Sequence, residues 1–143
     1  MRNLKAAEKI FYLMPLLEKK FVRPLEQQFK PALSPIQVHV LSSLQEKRHT
    51  MTELSREMLM SKQQMTPIID KLVSQGFAQR EYDSTDRRII QISITASGLE
   101  FLAALREKIF IILEEKLGYL EEQDVIRLSN AITELQDILL KIP

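Results

Sequence analysis

The sequence contains no cysteine and no tryptophan, and only three of its 143 residues are glycine. Without cysteine the chain can form neither disulfides nor thiolate metal sites, and it lacks a cysteine-based oxidation switch. So few glycines, together with helix-like periodicity over most of the length, favour a mainly helical fold. The length is that of one domain, able to bury roughly two-thirds of its unfolded surface.

Long hydrophobic runs are also missing. The longest apolar run near the start, residues 10–17, has eight residues, includes a proline and is followed by charged residues. Roughly twenty apolar residues are needed to cross a bilayer, and no small-residue cleavage site follows this run. We therefore expect a cytoplasmic protein with no membrane partner.

Signatures of catalysis are lacking. The chain has no glycine-rich phosphate loop, no GxSxG elbow and no HExxH motif. Its two histidines, His39 and His49, fall on different predicted elements, without carboxylates or cysteines at ligand spacing. We expect no enzyme, no metal site and no cofactor.

Charge of one sign is not in large excess, because the formal net charge is only +1. It amounts to +4 over residues 1–44, +1 over residues 45–95 and −4 over residues 96–143. Any binding to nucleic acid would therefore depend on a few placed cations, with a modest dependence on salt.

What the sequence does contain is a pair of short helical patterns in residues 50–76, separated by a tight turn. Thr50 with Glu53, and Ser61 with Gln64, have the spacing of capping boxes that start helices. Gly76 stands where a helix commonly ends. The predicted apolar stripe of the first helix is Leu54, Met58 and, more weakly, Leu59.

The second helix has two distinct faces. Apolar residues at spacings of three and four predict its inward face: Met65, Ile68, Ile69, Leu72 and Val73. The polar side chains face water or DNA: Lys62, Gln63, Gln64, Thr66 and Lys71. Glutamine pairs well with adenine, and lysine reaches guanine or phosphate, although a polar helix face is more often simply solvated. Pro67 lies beyond the first turn and should distort the helix without breaking it.

Two strand-like runs follow. Ile90, Ile92 and Ile94 alternate with polar residues, which predicts a half-buried strand, and residues 77–82 supply its partner. Residues 83–86 have turn composition, so Arg87 and Arg88 lie near the tip, where they could enter a minor groove or grip phosphates. A helix-turn-helix followed by a hairpin predicts a winged helix, whereas the plainer alternative is a charged hairpin that keeps the protein soluble.

Helical patterns flank this module. The first thirty residues form a long one in which Phe11 and Phe29 widen the apolar stripe, prolines 15 and 24 kink or interrupt it, and Pro31 ends it. Ser34, with Pro35 and Gln37, then predicts a new helix start.

The C-terminal part returns to helix, with either Thr95 or Ser97 as its cap and Gly118 as its end. The last helix, residues 121–142, repeats apolar residues at three and four and carries more of them than one face needs. We therefore expect a helical dimerisation region, residues 1–33 and 96–143, around a DNA-binding lobe, residues 34–95. A monomer that folds these helices over its own lobe is the less favoured alternative.

Three runs of this sequence resemble the multiple antibiotic resistance regulator (MarR) family: LSPIQVHVLSSL, TMTELSREMLMSKQQMTPIIDKLVSQGFAQREY and DSTDRRIIQISITASG. The most specific part is the DRR tip, followed by a β run and the Thr-x-x-Gly of residues 95–98. The resemblance implies a mainly helical (α+β) winged-helix regulator of transcription that is dimeric and usually a repressor released by a small molecule or by oxidation.

The resemblance also implies roles for individual residues. Arg88 matches the wing arginine that reaches the minor groove, and Asp70 matches an acidic helix residue that holds this arginine in relatives. Many relatives carry a further arginine where this chain has Thr85. By analogy alone, Tyr12 and His39 would line a pocket for a small-molecule effector. The expected DNA contacts are Ser61, Lys62, Gln63, Gln64, Thr66, Pro67, Arg87 and Arg88, with Asp70 and Asp86 as support for the wing.

The leading hypothesis is a homodimeric repressor that binds a palindromic or pseudo-palindromic operator in double-stranded DNA and is released by a small-molecule effector. The alternative is a winged-helix protein-interaction module that does not read DNA. The near-neutral central region and Thr85 are the features that favour this alternative.

Overall fold

The computed structural model describes residues 3–28 and 33–143. In these residues the elements follow in the order α1 (Leu4–Leu17), a π-helical segment (Glu18–Val22), α2 (Arg23–Gln28), α3 (Pro35–Glu46), β1 (His49–Thr50), α4 (Met51–Glu57), α5 (Lys62–Ser74), β2 (Ala78–Tyr82), β3 (Ile90–Ile94), α6 (Ala96–Leu117) and α7 (Glu122–Leu139). They form two compact units, which we call the winged unit (Gln28–Glu107) and the helical unit (Met1–Gln27 with Lys108–Pro143).

The winged unit is built around one apolar core. The predicted winged helix is confirmed, since α3, α4 and α5 are followed by the hairpin of β2 and β3. The core residues are Leu33, Val40, Leu41, Leu44, Leu54, Met65, Ile68, Ile69, Leu72, Ala78, Ile92 and Leu102. Helices α3, α4, α5 and α6 and strands β2 and β3 therefore contribute apolar side chains to the same interior, as periodicity predicted for α5.

The sheet has one strand more than the sequence predicted. Its order is β1-β3-β2 with antiparallel pairs, and β1 joins β3 by pairing His49 with Ile92 and Thr50 with Gln91. The alternation in β3 holds for Ile92, which is buried, and Ile94, which packs against the core, whereas Ile90 is exposed. The hairpin therefore leaves the core before its tip.

Local capping starts α3 and α4. The predicted Ser34 box is confirmed: the Ser34 N–H donates to Gln37 Oε1 at 2.8 Å, and the Gln37 N–H donates to Ser34 Oγ at 3.4 Å. At α4 the Glu53 N–H donates to Thr50 Oγ1 at 3.2 Å as expected. The Glu53 carboxylate, however, accepts the Thr50 hydroxyl rather than the backbone N–H of a full box.

Leu59 does not belong to the apolar stripe of α4, and that expectation was wrong. The helix ends at Glu57, and Leu59 adopts a φ of 54° in the turn that leads to α5. Its side chain is 92% exposed, while Met58 and Met60 pack against the core. The chain thus reverses at a non-glycine residue in the left-handed region, which is sterically costly.

The helical unit begins with α1, which continues through the π-helical segment into α2. Pro15 lies inside α1 and Pro24 inside α2, so the expected interruption takes the form of one wider turn in which the Arg23 N–H donates to the Glu18 carbonyl. Phe29 and Pro31 lie outside the described residues.

The long helix α6 begins in the winged unit, and from Lys108 onward its residues belong to the helical unit. Thr95 is its cap, because the Gly98 N–H donates to Thr95 Oγ1 at 3.1 Å. Gly118 follows the last residue of α6, as predicted. Along residues 3–28 and 33–143, no helix is both long enough and apolar enough to cross a membrane.

Replacing Leu59 by glycine should stabilise the protein, because glycine adopts the left-handed conformation without a clash of its Cβ and little packing is lost. We expect the free energy of unfolding to rise by about 1 kcal/mol. Urea denaturation at one fixed protein concentration measures this, and Leu59→Ala, which keeps the Cβ, is the control. A glycine variant no more stable than the alanine variant would contradict the account of this turn.

Candidate nucleic-acid interface

The N-terminal end of α5 is fixed by Ser61 and Gln64. The Ser61 N–H donates to Gln64 Oε1 at 3.0 Å, and the Gln64 N–H donates to Ser61 Oγ at 3.1 Å, which confirms the predicted capping box. Gln64 therefore uses its carbonyl oxygen within the protein. Bidentate pairing with adenine needs that oxygen as well as the amide N–H, so Gln64 in this conformation offers only donors to a base edge.

Along α5 the division into two faces is sharp. Met65, Ile69 and Leu72 are fully buried, and Ile68 is buried beside them. The residues expected to meet DNA are all exposed, namely Ser61, Lys62, Gln63, Gln64, Thr66 and Pro67. Their exposure is what a groove-facing helix requires, and whether they touch DNA stays a prediction.

Two of these residues, Thr66 and Pro67, change the hydrogen bonding within α5 itself. The Thr66 hydroxyl donates to the Lys62 carbonyl at 2.8 Å, which leaves its methyl group and its lone pairs for a partner. Pro67 lies inside α5, and the helix continues through it to Ser74. Because proline has no N–H, the Gln63 carbonyl loses its usual helical donor.

The tip of the hairpin is a compact turn. Tyr82 and Ile90 are the last paired residues of the two strands. Beyond this pair, the Asp83 N–H donates to the Ile89 carbonyl at 2.9 Å and the Ile89 N–H donates to the Asp86 carbonyl at 3.0 Å. These bonds give Arg87 and Arg88 a defined backbone at the end of the hairpin.

Asp86 orients Arg88. Its Oδ1 accepts the Arg88 backbone N–H at 3.0 Å and Nε at 3.2 Å, and its Oδ2 accepts Nη2 at 3.2 Å. The guanidinium is held along one edge, through Nε and Nη2, although the arginine side chain is 90% exposed. Such a fork limits the rotamers of Arg88 while leaving the rest of its donors free.

Hydrogen bonds keep the acids of the tip ionised. The bond from the Arg88 side chain lowers the pKa of the Asp86 carboxyl, with a further contribution from the Arg88 N–H, and the Thr85 hydroxyl lowers the pKa of Asp83. Their stabilising contribution is present above the unfolded value of about 3.9 and is lost only as the pH falls through the lower folded pKa. At neutral pH the wing tip thus carries two carboxylates beside its two arginines.

The partner of Asp70 differs from the one that the resemblance implied. Asp70 accepts a hydrogen bond from Nη2 of Arg80 on β2, and Arg88 pairs with Asp86 instead. The expected link from the acidic helix residue to the wing is present, but it reaches the first strand of the wing rather than its tip. Arg80 is a residue that the sequence analysis missed.

His49 was also missed. It is 3% exposed, its Nδ1 lies 2.8 Å from the Lys47 carbonyl oxygen, and its Nε2 lies 3.2 Å from Oε2 of Glu57. The ring therefore joins β1 to the last residue of α4. Its proximity to Thr50, the cap of α4, is the sequence signal that could have placed it at this junction.

Tyr12 and His39, the residues proposed for an effector pocket, are both exposed. Tyr12 lies on α1 in the helical unit, and its ring meets that of Phe11 edge to face at 5.4 Å. His39 lies on α3 in the winged unit. A shared effector pocket stays a prediction.

Fold and site together define a class: a winged helix-turn-helix protein that exposes a polar helix face and a charged hairpin tip. The sequence profile of the MarR family matches residues 33–90. The chain is 27% identical over 127 residues to the HTH-type transcriptional repressor MdtR of Bacillus subtilis (strain 168), covering 86% of this chain and 80% of that protein.

Solved structures of other proteins have the same fold as this chain. The YusO protein from Bacillus subtilis aligns with a TM-score of 0.74 at 22% identity, over 96% of this chain and 98% of that chain. The apo form of wild-type MarR from E. coli aligns with a TM-score of 0.72 at 20% identity, over 87% and 94%. Over residues 33–90 the chain is therefore similar to the MarR family of transcription regulators, and its fold is that of the solved winged-helix structures.

Truncating Arg88 to alanine should weaken specific DNA binding, because the side chain is the exposed cation that Asp86 fixes in direction. We expect a loss of about tenfold, as for one charge-assisted contact. Fluorescence anisotropy with labelled duplex measures it, and sedimentation checks that the oligomeric state is unchanged. Arg127→Ala is the matched control, since Arg127 is exposed and pairs with Asp124 on α7. Unchanged affinity in the Arg88 variant would remove the wing from the interface.

Proposed function

We propose that this protein is a dimeric, sequence-specific DNA-binding repressor. Each copy would insert the outward face of α5 in a major groove and set Arg87 and Arg88 against the adjacent backbone or minor groove. The observation that carries the proposal is the division of α5, whose apolar face is buried while its polar face is wholly exposed.

The exposed groups on α5 suit the reading of base edges. Gln63 has a free amide with one acceptor and two donors, so it matches the major-groove edge of adenine. Lys62, in the first turn, reaches phosphate or guanine. The methyl group of Thr66 suits a thymine methyl, because its hydroxyl already donates to the Lys62 carbonyl. Specificity would thus come from a few groups of defined direction.

The helical unit supports the dimer. Along α7, the large apolar side chains Ile126, Ile132, Leu135, Ile138 and Leu139 are exposed, and so are Ile10, Phe11 and Met14 on α1. Soluble monomers rarely expose large apolar patches, so many exposed apolar side chains on two helices favour a covered surface. A second copy is the simplest cover, and two-fold symmetry then calls for a palindromic or pseudo-palindromic operator with half-sites about one helical turn apart.

The proposal extends to regulation and place of action. A small-molecule effector, for which Tyr12 and His39 are candidate contacts, would release the operator by changing the separation of the two α5 helices in the dimer. The protein would act in the cytoplasm, as a binding protein rather than an enzyme.

Selection of bound fragments from the protein's own genome tests the proposal. Purified protein is mixed with sheared genomic DNA, complexes are isolated over a series of salt concentrations, and bound fragments are sequenced. We expect a short inverted repeat whose enrichment survives moderate salt. Recovery without any enriched sequence would instead support the interaction module that does not read DNA.

Lys62→Ala should lower the slope of log affinity against log salt by about one, because one phosphate contact is removed. Gln63→Ala is the matched variant on the same face: it removes no charge, so it should reduce discrimination between operator and scrambled duplex at an unchanged slope. Titrations between low and moderate salt give both quantities. Equal slopes for the Lys62 variant and the wild type would exclude a phosphate contact there.

Ile132→Glu should dissociate the dimer, because it puts a charge in the exposed apolar seam of α7. Losing the burial of one isoleucine costs roughly 2 kcal/mol per copy, hence about 4 kcal/mol for the two copies of a dimer, so dimer affinity should fall by roughly several hundredfold. Sedimentation velocity over a concentration series measures this. Thr133→Glu adds the same charge at the neighbouring exposed position and is the control. If both variants remain dimeric, α7 is not the interface.

A further inference from the structure

Thr95 and Gly98 form a motif that is not among the proposed DNA contacts. Both lie where β3 ends and α6 begins. Their partners are the residues that follow α5, although Thr95 is nineteen residues from Gly76 in the chain. The motif therefore links the helix proposed to read DNA with the first turn of α6.

The C-terminal end of α5 is closed by its own backbone hydrogen bonds. Gly76, with a φ of 77°, follows the C-cap residue Gln75. The Gly76 N–H donates to the Val73 carbonyl at 3.0 Å and the Phe77 N–H donates to the Leu72 carbonyl at 2.9 Å. This is the Schellman arrangement, so the carbonyls of Gly76 and Phe77 have fixed directions relative to the axis of α5.

Thr95 binds both of these carbonyls. Its hydroxyl donates to the Gly76 carbonyl at 2.5 Å, and its backbone N–H donates to the Phe77 carbonyl at 3.0 Å. The same hydroxyl oxygen accepts the Gly98 N–H at 3.1 Å and so caps α6. One side chain therefore ends α5 and starts α6 at a single point.

Gly98 permits this close approach. A Cβ at position 98 would collide with the Phe77 carbonyl oxygen and with Cγ1 of Ile94. One turn along α6, the ring of Phe101 packs against that of Phe77 with a centroid distance of 4.7 Å. Hydrogen bonds, close backbone contact and ring packing thus join the same two helix ends.

We propose that Gly76, Phe77, Thr95 and Gly98, here named the α5–α6 corner, fix the direction of α5 relative to α6, and that Thr95 is a positioning residue for DNA recognition. α6 is a continuous helix of 22 residues. A change in the direction of its axis is therefore passed to α5 at the corner. The corner touches no base or phosphate, and it acts through the angle at which α5 is presented. This inference rests on the proposed function for its link to DNA.

Three substitutions at Thr95 separate capping from the corner. Thr95→Ser keeps the hydroxyl and both of its hydrogen bonds. Thr95→Asp keeps a cap for the Gly98 N–H, so α6 should still start, but an ionised carboxylate has no proton to donate to the Gly76 carbonyl and repels it. Thr95→Val loses both functions. A role limited to starting the helix predicts that the aspartate variant behaves like wild type.

The first readout needs no DNA. The chain has no cysteine of its own, so Lys71→Cys and Ala103→Cys introduce two spin labels at exposed positions of α5 and α6 within the winged unit. Labelled protein is diluted with unlabelled protein, so that each dimer carries one labelled copy, and circular dichroism confirms folding. We expect one narrow interlabel distance in wild type and Thr95→Ser, and a broadened or shifted one in Thr95→Asp. Gly98→Ala, which forces the backbones apart, should shift it too.

The second readout is the ratio of affinities for the selected operator and for scrambled duplex. We expect Thr95→Asp to lower it about tenfold and Thr95→Ser to preserve it. An interlabel distance in Thr95→Asp equal to that of wild type overturns the proposal, and so does an unchanged ratio. If wild type shows no preference for any sequence, the proposed function fails, while the interlabel distance still decides whether the corner orients α5.

Discussion

The burial of one face of α5 is the constraint on which the rest of the winged unit depends. Met65, Ile69 and Leu72 are fully buried, and each successive residue turns the helix by about 100°. A rotation by one residue would bring apolar side chains into water at a cost of about 1.5–3 kcal/mol each. The orientation of Lys62 and Gln63 follows from this burial, because no hydrogen bond or ion pair to residues 3–28 or 33–143 holds either side chain.

Local signals in the sequence predicted the helices well, because capping and termination depend on residues within a few positions of each other. Ser34 with Gln37 and Ser61 with Gln64 form the predicted boxes, and Gly76 ends α5. Leu59 shows the limit of this reasoning. Its spacing fits the stripe of α4, but spacing does not tell where a helix stops, and the turn places it in the left-handed region.

Features that depend on strand register could not be predicted in the same way. The two-residue strand β1 has no pattern of its own, and it forms only because β3 offers an edge. Arg80 is paired across the sheet with Ile92, so both side chains point to the face that packs toward the helices. A charged residue at such a position needs a partner, and Asp70 on α5 is that partner. Once the register of β2 against β3 is known, the pairing of Arg80 with Asp70 can be predicted. Without it, Arg88 was the more obvious choice, although the turn had already given Arg88 the nearer carboxylate of Asp86.

In the proposed dimer, electrostatics gives the pairing of two copies a role in DNA binding beyond symmetry. Asp86 gives the Arg88 guanidinium a direction but offsets its charge, and residues 45–95 carry a net charge of only +1. A single winged unit would therefore neutralise few phosphates, and the release of counterions, which supplies most non-specific affinity, would be small. Two linked units act differently, because the first one bound holds the second at a high effective concentration near its own half-site. Low charge with directed side chains then favours discrimination over general attraction. In the proposed complex, the angle of α5 within each copy would then matter more than the total charge of the protein.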